Sequence, residues 1–218
     1  MKLYISAGPN SRVVRMFLAE KALDVPMSAL VTAIGEARRP DHLARNPLGQ
    51  VPVLETADGA FLCESSAICE YVEEIQPEPP LVGRTPAERA ECRMWTRRVD
   101  LNLCQLVTHA FRLSPMGFRR FRQSAPAPDG AEAMRRLAAS HLAWLDEQLR
   151  DRPFLCGSRF TLADIQLFVF LEYAIELGQL LDPQWTALAD WLARIGARPS
   201  AEQSAGIPLA AGALAGTV

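Results

Sequence analysis

A proline stands inside an apolar run at Gln50-Val51-Pro52-Val53-Leu54, where a strand is otherwise expected. Proline cannot donate to a strand ladder, so within a sheet it belongs at an edge or at a special turn. A cis Val51-Pro52 bond would turn the Val51 N–H and C=O outward, where an extended peptide can pair with them as an added strand. The alternative is an ordinary trans proline at the entry to the strand. The neighbouring residues favour the first interpretation.

A second group, Glu64-Ser65-Ser66, stands where a helix is expected to begin. The free N–H groups of a helix start and a serine hydroxyl suit a carboxylate, while Glu64 suits an ammonium group. An amino-acid head group carries both charges on one carbon, so the pair predicts a site for such a group. Ser65 is also suited to cap its helix, and the two roles are compatible. Arg38 and Arg39 are candidates for a second carboxylate, although taken alone they fit a solvated surface.

The elements that must position these residues read as βαβ followed by ββα. Residues 2–5 form a short strand, and Ser11 is the expected cap of a helix that runs to Leu23. A second strand is expected near Met27 to Thr32. Asp58-Gly59 lies between two apolar runs and predicts a hairpin. The apolar residues that follow it recur at helical spacing and predict a closing helix.

The stretch at 76–84 carries three prolines and a glycine, and it marks a domain boundary. Everything beyond it reads as helical, with a capping box at Thr85-Glu88 and another at Thr161-Asp164. The helix that the second box opens is apolar nearly all round, so we expect it to be the buried central one. The sequence therefore predicts an α+β N-terminal domain at 1–77, a linker at 78–85 and an all-α helical-bundle C-terminal domain at 86–218.

Composition and charge exclude several classes of protein. Apolar residues make up 49% and charged residues 22% of the 218 residues, which is ordinary globular composition. The net charge of −2 gives no general attraction to nucleic acid or to an anionic membrane. The five cysteines form no CxxC pair and no metal-ligand spacing with histidine, which favours a reduced compartment and no metal. Because neither an apolar leader nor a membrane-length apolar run is found, we expect a cytoplasmic protein.

Three segments, in this order, resemble the glutathione transferase superfamily along nearly the whole chain: LYxxxxxxSRxVRMFLAEKAL, NPLGQVPVLETADGAFLCESSAICEYVEE and PFLCGSRFTLADIQLF. The resemblance implies a thioredoxin-like N-terminal domain followed by a helical bundle. It implies that Val51 and Pro52 hold the cysteinyl backbone of glutathione and that Glu64 and Ser65 hold its γ-glutamyl end. It also implies a supporting role for Gln50 and a contact between Arg38 and the glycyl carboxylate. In the helical domain, Thr161 and Asp164 match a folding element of the family.

The catalytic turn departs from the family's patterns. The serine of some classes would fall near Gly8, and the cysteine of other classes would fall at Asn10. Tyr4 stands at about the distance from Arg15 that tyrosine-using classes show, but tyrosine is also common on this strand in classes that do not use it. A helix start can lower a thiol pKa by itself. Ser11 and the amides of Asn10 and Ser11 are therefore the favoured thiolate stabilisers.

A water held by the helical domain is the second possibility for activating the thiol, since atypical branches of the family work in this way. His109, Arg112 and Ser114 are the candidates for holding it. The acceptor pocket is expected between the first turn, Ala7 to Asn10, and the helix that contains His109 to Met116. Its expected lining residues are Phe111, Leu113, Ser114 and Met116.

The implied activity is addition or substitution by the glutathione thiolate on a small hydrophobic electrophile, with glutathione as co-substrate and no metal. One rival is a glutathione-dependent disulfide reductase or peroxidase, which needs a cysteine where Asn10 stands. The other is a non-catalytic glutathione-binding or partner-docking protein on the same fold. The resemblance also implies a homodimer formed largely through the first helix of the second domain. His42 and His141 are expected on the surface and on a helix face.

Overall fold

The computed structural model describes residues 1–32, 35–117 and 125–206. These residues divide into two compact units. One contains Met1–Val72 and the chain end from Ser200, and the other contains Glu73–Pro199. Within the described ranges, no helix is long and apolar enough to cross a membrane. The same residues contain no cluster of His, Cys, Asp and Glu side chains suited to a metal ion.

The first unit contains a small mixed sheet. Its elements are β1 (Lys2–Ile5), α1 (Pro9–Glu20), β2 (Met27–Ala29), a 3-10 helix (Glu36–Arg38), α2 (Pro40–Arg45), β3 (Val53–Glu55), β4 (Phe61–Cys63) and α3 (Ser65–Ile75). The strand order is β2-β1-β3-β4. β1 and β2 are parallel, whereas β3 runs antiparallel to both β1 and β4. The predicted thioredoxin-like order of elements is therefore confirmed.

Apolar spacing explains how these elements are buried. Val13, Met16 and Phe17 are buried on α1 at the three- and four-residue spacing that places side chains on one helix face. The predicted hairpin joins β3 to β4. Gly59 has a φ of 85° in its turn, a conformation that glycine adopts without steric cost.

Helix α1 begins earlier than predicted, and the expectation that Ser11 caps it is wrong. Gly8 occupies the cap position without a side-chain bond, and Pro9 is the first helical residue. Proline suits that position because its missing N–H would have had no helical acceptor there. The hydroxyl of Ser11 is buried and accepts instead from the N–H of Ser6 at 3.0 Å. The helix also ends at Glu20, before the predicted Leu23.

The second unit is helical, as predicted. Its elements are α4 (Pro86–Val99), a π-helical segment (Asp100–Cys104), α5 (Gln105–Leu113), α6 (Pro128–Leu149), α7 (Leu162–Glu176) and α8 (Thr186–Gly196). α4 begins at the predicted capping box. The N–H of Glu88 donates to the Thr85 hydroxyl at 3.2 Å, and the N–H of Thr85 donates to the Glu88 carboxylate at 3.1 Å.

Helix α7 is the central helix of this unit. Its first ten residues, Leu162 to Leu171, are all buried, which matches their apolar character on every side. The second predicted capping box is present at its start. There the fully buried Asp164 carboxylate accepts from the N–H groups of Thr161 at 3.0 Å and Leu155 at 2.9 Å, and from Trp191 Nε1 at 3.1 Å. A single carboxylate thus joins the loop before α7 to a side chain of α8.

A last described helix, α9 (Pro199–Ser204), belongs to the first unit. The Ser200 hydroxyl donates to the Glu20 carboxylate at the end of α1. The Arg12 guanidinium donates to the carbonyl of Ala201 at 3.4 Å, and the Arg15 guanidinium donates to the carbonyl of Gly206. The polar face of α1 is therefore where residues 200–206 pack on their own unit.

Candidate functional site

Strand register brings three predicted site segments to one edge of the sheet. Tyr4 of β1 pairs with Val53 of β3, and Val53 pairs with Cys63 of β4. Because neighbouring antiparallel strands reverse direction, the start of β3 lies beside the ends of β1 and β4. The turn that leads to Asn10 follows the end of β1, the Val51-Pro52 peptide precedes the start of β3, and the pair Glu64-Ser65 follows the end of β4.

The Val51-Pro52 bond is cis, which confirms the expectation from the sequence. Pro52 is buried and Val51 is half-buried. Within the described residues, neither the N–H nor the C=O of Val51 has a hydrogen-bond partner. The backbone of Val51 therefore keeps one free donor and one free acceptor at the entry to β3, which is what pairing with an extended peptide requires.

Gln50 contributes its backbone to this edge. Its side chain is exposed, while its carbonyl oxygen lies 3.0 Å from His42 Nε2 and 3.0 Å from Asn46 Nδ2. The prediction that His42 lies on the surface is wrong, because the residue is fully buried. Sequence reasoning missed both donors. The one available signal was their four-residue spacing across the end of α2, with Asn46 at the helix C-cap and at the start of the NPLGQVP run.

The start of α3 has an unusual backbone. Glu64 precedes the helix with a φ of 68°, in the left-handed region that few residues other than glycine adopt. Its carbonyl accepts the helical N–H of Ile68 at 3.0 Å. The N–H groups of Ser65, Ser66 and Ala67 have no acceptor among the described residues, as the geometry of a helix start requires. This start therefore presents an exposed carboxylate beside three free donors.

Helix α1 begins next to helix α3. The Ser65 hydroxyl lies 3.4 Å from the Asn10 side-chain oxygen, although 55 residues separate the two in sequence. Asn10 is exposed, and the N–H groups of Asn10 and Ser11 have no acceptor in the described part of the chain. Two helix N-termini thus converge on one place. Their partial positive charges favour an anion there.

Tyr4 lies on β1 with its hydroxyl already engaged. The hydroxyl donates to the Glu55 carboxylate at 2.8 Å, and the Arg45 guanidinium stacks 4.5 Å from the centre of the ring. Burial raises the pKa of Tyr4, and the hydrogen bond to Glu55 raises it further. A phenol whose hydrogen is donated to a carboxylate has no hydrogen left for a thiolate. This geometry disfavours Tyr4 as the activating group.

Arg38 lies on the exposed 3-10 helix beside the loop before Gln50. Its guanidinium donates to the carbonyl of Leu48 at 3.3 Å. Gly49 has a φ of 61°, and a Cβ atom there would lie 2.7 Å from the carbonyl oxygen of Ala37. Glycine is therefore required where this loop meets the 3-10 helix. Arg38 keeps further donors for a ligand because one guanidinium carries five.

In the helical unit, a cavity of about 360 Å³ brings together Phe111, Ser114 and Met116, three of the four residues predicted for an acceptor pocket. The prediction for the fourth, Leu113, is wrong, because Leu113 does not line this cavity. Val107 and Ala110 of α5, Ala138 of α6 and Ala174 of α7 give it a largely apolar wall. Phe111 packs edge-on against Tyr173, with ring centres 6.0 Å apart.

The residues predicted to hold a water do not share one position in this structure. His109 is exposed on α5 and does not line the cavity. At 100° per residue, it stands on the face of α5 opposite to Val107 and Phe111. The Ser114 hydroxyl donates to the carbonyl of Phe111 at 2.7 Å and accepts from the N–H of Gly117 at 3.1 Å. Ser114 therefore closes the end of α5. Of the other two candidates, His109 is exposed and Arg112 is half-buried.

Comparison with known proteins gives consistent matches over both units. A family model described as glutathione S-transferase, N-terminal domain, matches residues 3–80, and one described as the C-terminal domain matches residues 128–194. Glutathione S-transferase 2 of Saccharomyces cerevisiae is 32% identical over 199 residues, covering 90% of this chain and 85% of that protein.

Two further proteins, one compared by sequence and one by structure, are also similar to this chain. FtsZ-localized protein A of Caulobacter vibrioides is 33% identical and covers 88% of this chain and 84% of that protein. The crystal structure of Gtt2 from Saccharomyces cerevisiae superimposes with a TM-score of 0.87 at 31% identity, over 94% of this chain and 100% of that chain. The relatives thus include both a protein named as a transferase and a protein named for its localisation with FtsZ.

Proposed function

Because the chain belongs to the glutathione S-transferase family, we propose that it conjugates the thiolate of glutathione to small hydrophobic electrophiles. One observation carries this proposal. The starts of α1 and α3 meet through Ser65 and Asn10, at the sheet edge where Val51 has a free N–H and C=O. Two helix N-termini that favour an anion, beside a backbone segment with a free donor and a free acceptor, suit a short peptide with a terminal carboxylate and a thiol.

In the proposed complex, each part of glutathione meets a different element. Glu64 and the start of α3 at Ser65 take the ammonium and carboxylate of the γ-glutamyl group. The N–H and C=O of Val51 pair with the cysteinyl backbone beside Pro52. Arg38 takes the glycyl carboxylate, and the exposed side chain of Gln50 supports the same end.

The chemistry requires only that the thiol loses its proton near neutral pH. A free thiol has a pKa of about 8.5, and a helix N-terminus lowers it because N–H groups stabilise the anion. The amides of Asn10 and Ser11 are the free donors of α1. The proton passes to water, and the sulfur attacks carbon to form a C–S bond. In a substitution the leaving group departs as an anion, and in an addition the resulting carbanion takes a proton from water.

The cavity of the helical unit is the proposed binding site for the electrophile. Its volume of about 360 Å³ lies within the range typical of small-molecule pockets, and its wall is largely apolar. Phe111 contributes an aromatic side chain to its lining. Met116 is 56% exposed and has the flexibility to adapt to different ligands.

The direct test combines calorimetry and a conjugation assay. We expect glutathione to bind with micromolar to millimolar affinity and 1-chloro-2,4-dinitrobenzene to be converted to its thioether with release of chloride. Absence of glutathione binding would overturn the proposal.

Binding without conjugation would favour a non-catalytic docking protein. That second candidate has support from the 33% identity to FtsZ-localized protein A. A disulfide reductase is the weaker rival, because its nucleophilic cysteine would have to stand at Asn10.

The group that stabilises the thiolate can be identified from the thiol pKa of bound glutathione. In Ser11→Ala this pKa should rise by about half a unit to one unit, since losing the bond to the Ser6 N–H frees the turn that holds the start of α1. Tyr4→Phe should leave it nearly unchanged, because that hydroxyl is committed to Glu55. Ultraviolet absorbance of the thiolate against pH measures each value.

His109→Ala decides between the two proposed sources of activation. If the thiol pKa rises in this variant and not in Ser11→Ala, a water held by the helical domain stabilises the thiolate. A thiol pKa near its free value in the wild-type complex would rule out both and favour the docking protein.

A homodimer is part of the proposal, formed through the exposed face of α4. Met94 of α4 and Leu101 of the π-helical segment that follows it are 41% and 48% exposed. Ala87 and Ala90 are also exposed on α4 and continue this apolar stripe from Met94 at helical spacing. A two-fold dimer would bury this stripe against its own copy. Light scattering at micromolar concentration should give twice the chain mass of 24.0 kDa.

Met94→Glu with Leu101→Glu should reduce that mass to the value of a single chain, because two like charges would face each other across the axis. Leu180→Glu is the matched control, since Leu180 is 83% exposed and lies outside the stripe. A wild-type mass of 24.0 kDa would contradict the dimer.

A further inference from the structure

His42 and Asn46 converge on one backbone oxygen. His42 is fully buried with Nε2 3.0 Å from the carbonyl oxygen of Gln50, and Asn46 Nδ2 lies 3.0 Å from the same oxygen. A carbonyl oxygen only accepts, so Nε2 of His42 carries the hydrogen. The two donors occupy both lone pairs of the Gln50 carbonyl.

Asn46 is itself held by its surroundings. It is 4% exposed, and its side-chain oxygen accepts from the N–H of Leu48 at 3.1 Å. Its own N–H donates to the carbonyl of His42 at 2.9 Å, and its carbonyl accepts from the N–H of Gly49 at 2.8 Å. Each polar group of Asn46 is therefore bonded either to α2 or to the segment from Leu48 to Gln50. This network fixes the amide that points at the Gln50 oxygen.

The Gln50 carbonyl and the Val51 N–H belong to the same peptide plane. In a trans peptide these two groups point in opposite directions. Holding the oxygen from one side therefore fixes the direction of the N–H on the other side. The Val51 N–H has no partner among the described residues, so no hydrogen bond of its own to them orients it.

From this geometry we infer that His42 and Asn46 are positioning residues that aim the Val51 N–H at the cysteinyl carbonyl of glutathione. The inference rests on the proposed glutathione-binding function. A donor that is already oriented binds without the entropic cost of ordering the loop. The two residues act through the Gln50-Val51 peptide and touch no part of glutathione themselves.

The His42 ring acts through one nitrogen. Nδ1 is buried and has no hydrogen-bond partner, so the bond to Gln50 is the one polar contact of this side chain in the described residues. Glutamine carries an N–H at a reach similar to Nε2, whereas leucine fills the site without a donor. The pair His42→Leu and His42→Gln therefore separates the donor from the packing.

The test measures glutathione binding, steady-state kinetics and the Val51 amide resonance in wild type, His42→Leu and His42→Gln. We expect His42→Leu to weaken glutathione binding about tenfold, the effect of one hydrogen bond of ordinary net strength. KM for glutathione should rise while kcat changes little, because the thiolate site at α1 is untouched. The ¹⁵N–¹H resonance of Val51 should move in ligand-free His42→Leu, and His42→Gln should restore both the resonance and the affinity.

Several outcomes would overturn the inference. His42→Leu with wild-type affinity and an unmoved Val51 resonance would show that the bond only stabilises the fold. Equal losses in His42→Leu and His42→Gln would show that packing matters and not the donor. If His42→Leu does not fold, Asn46→Ala removes the other donor to the same oxygen and is judged by the same readouts. Failure of the wild type to bind glutathione would instead overturn the proposed function.

Discussion

Glutathione affinity should fall by about two to four orders of magnitude when Glu64 and Ser65 are both replaced by alanine. Each charge-assisted hydrogen bond contributes roughly 1.5–3 kcal/mol, and the double variant loses one to the ammonium and one to the carboxylate of the γ-glutamyl group. The free N–H groups at the start of α3 remain in the variant, so binding is weakened and not abolished. Isothermal calorimetry at neutral pH measures the loss directly.

A loss of glutathione binding in this variant must be distinguished from a loss of its fold. Glu64 has a φ of 68°, and alanine pays the same steric cost in that conformation as glutamate, so the backbone of the cap should be retained. Glu147→Ala with Ser140→Ala is the matched control, because it removes the same two groups from exposed positions on α6. This control should bind glutathione like the wild type. Unchanged affinity in the Glu64 and Ser65 variant would show that the site lies elsewhere.

Asp164→Ala should destabilise the helical unit by about 3–9 kcal/mol. The substitution leaves the N–H groups of Thr161 and Leu155 and the indole N–H of Trp191 buried without their acceptor, and each such donor costs roughly 1–3 kcal/mol. Desolvation raises the pKa of Asp164 to about 6, so the carboxylate is ionised at pH 7 and serves all three donors. A loss of this size is a large part of a typical protein's stability of about 5–15 kcal/mol.

Urea unfolding followed by tryptophan fluorescence measures this loss, since all four tryptophans lie in the helical unit. Glu88→Ala is the matched control, because it removes the same capping carboxylate from the half-exposed start of α4. We expect that control to cost about 0.5–2 kcal/mol. Equal losses in the two variants would contradict the role assigned to burial and to Trp191.

Local signals predicted much of both units and of the candidate site in the first. The two capping boxes, the hairpin at Asp58-Gly59 and the cis bond at Val51-Pro52 are set by residues within a few positions of each other. Such features depend on side chains meeting their own backbone, which short sequence windows contain. The positions of Glu64 and Ser65 at a helix start were predicted for the same reason.

The predictions for Ser11 and His42 were wrong because each residue type is suited to two different structural roles. Ser11 is a good cap by type, but Pro9 already begins the helix and the Ser11 hydroxyl turns to Ser6. His42 is polar by type, but the loop that returns after Asn46 brings the Gln50 carbonyl to its ring. In each case the side chain is bonded to a backbone group five or eight residues away, which it reaches only once the intervening turn has formed.

By itself, the sequence determined the order of strands and helices, the starts of α4 and α7 and the turn that exposes Val51, because these follow from backbone preferences and hydrogen bonds between near neighbours. The tertiary structure alone decided which distant groups meet. It commits the Tyr4 hydroxyl to Glu55, sets Ser65 beside Asn10 and collects Phe111, Ser114 and Met116 around one cavity. The physical reason is that a side chain's partner is chosen by strand register and helix packing, which depend on the burial of the whole apolar core and not on any single segment.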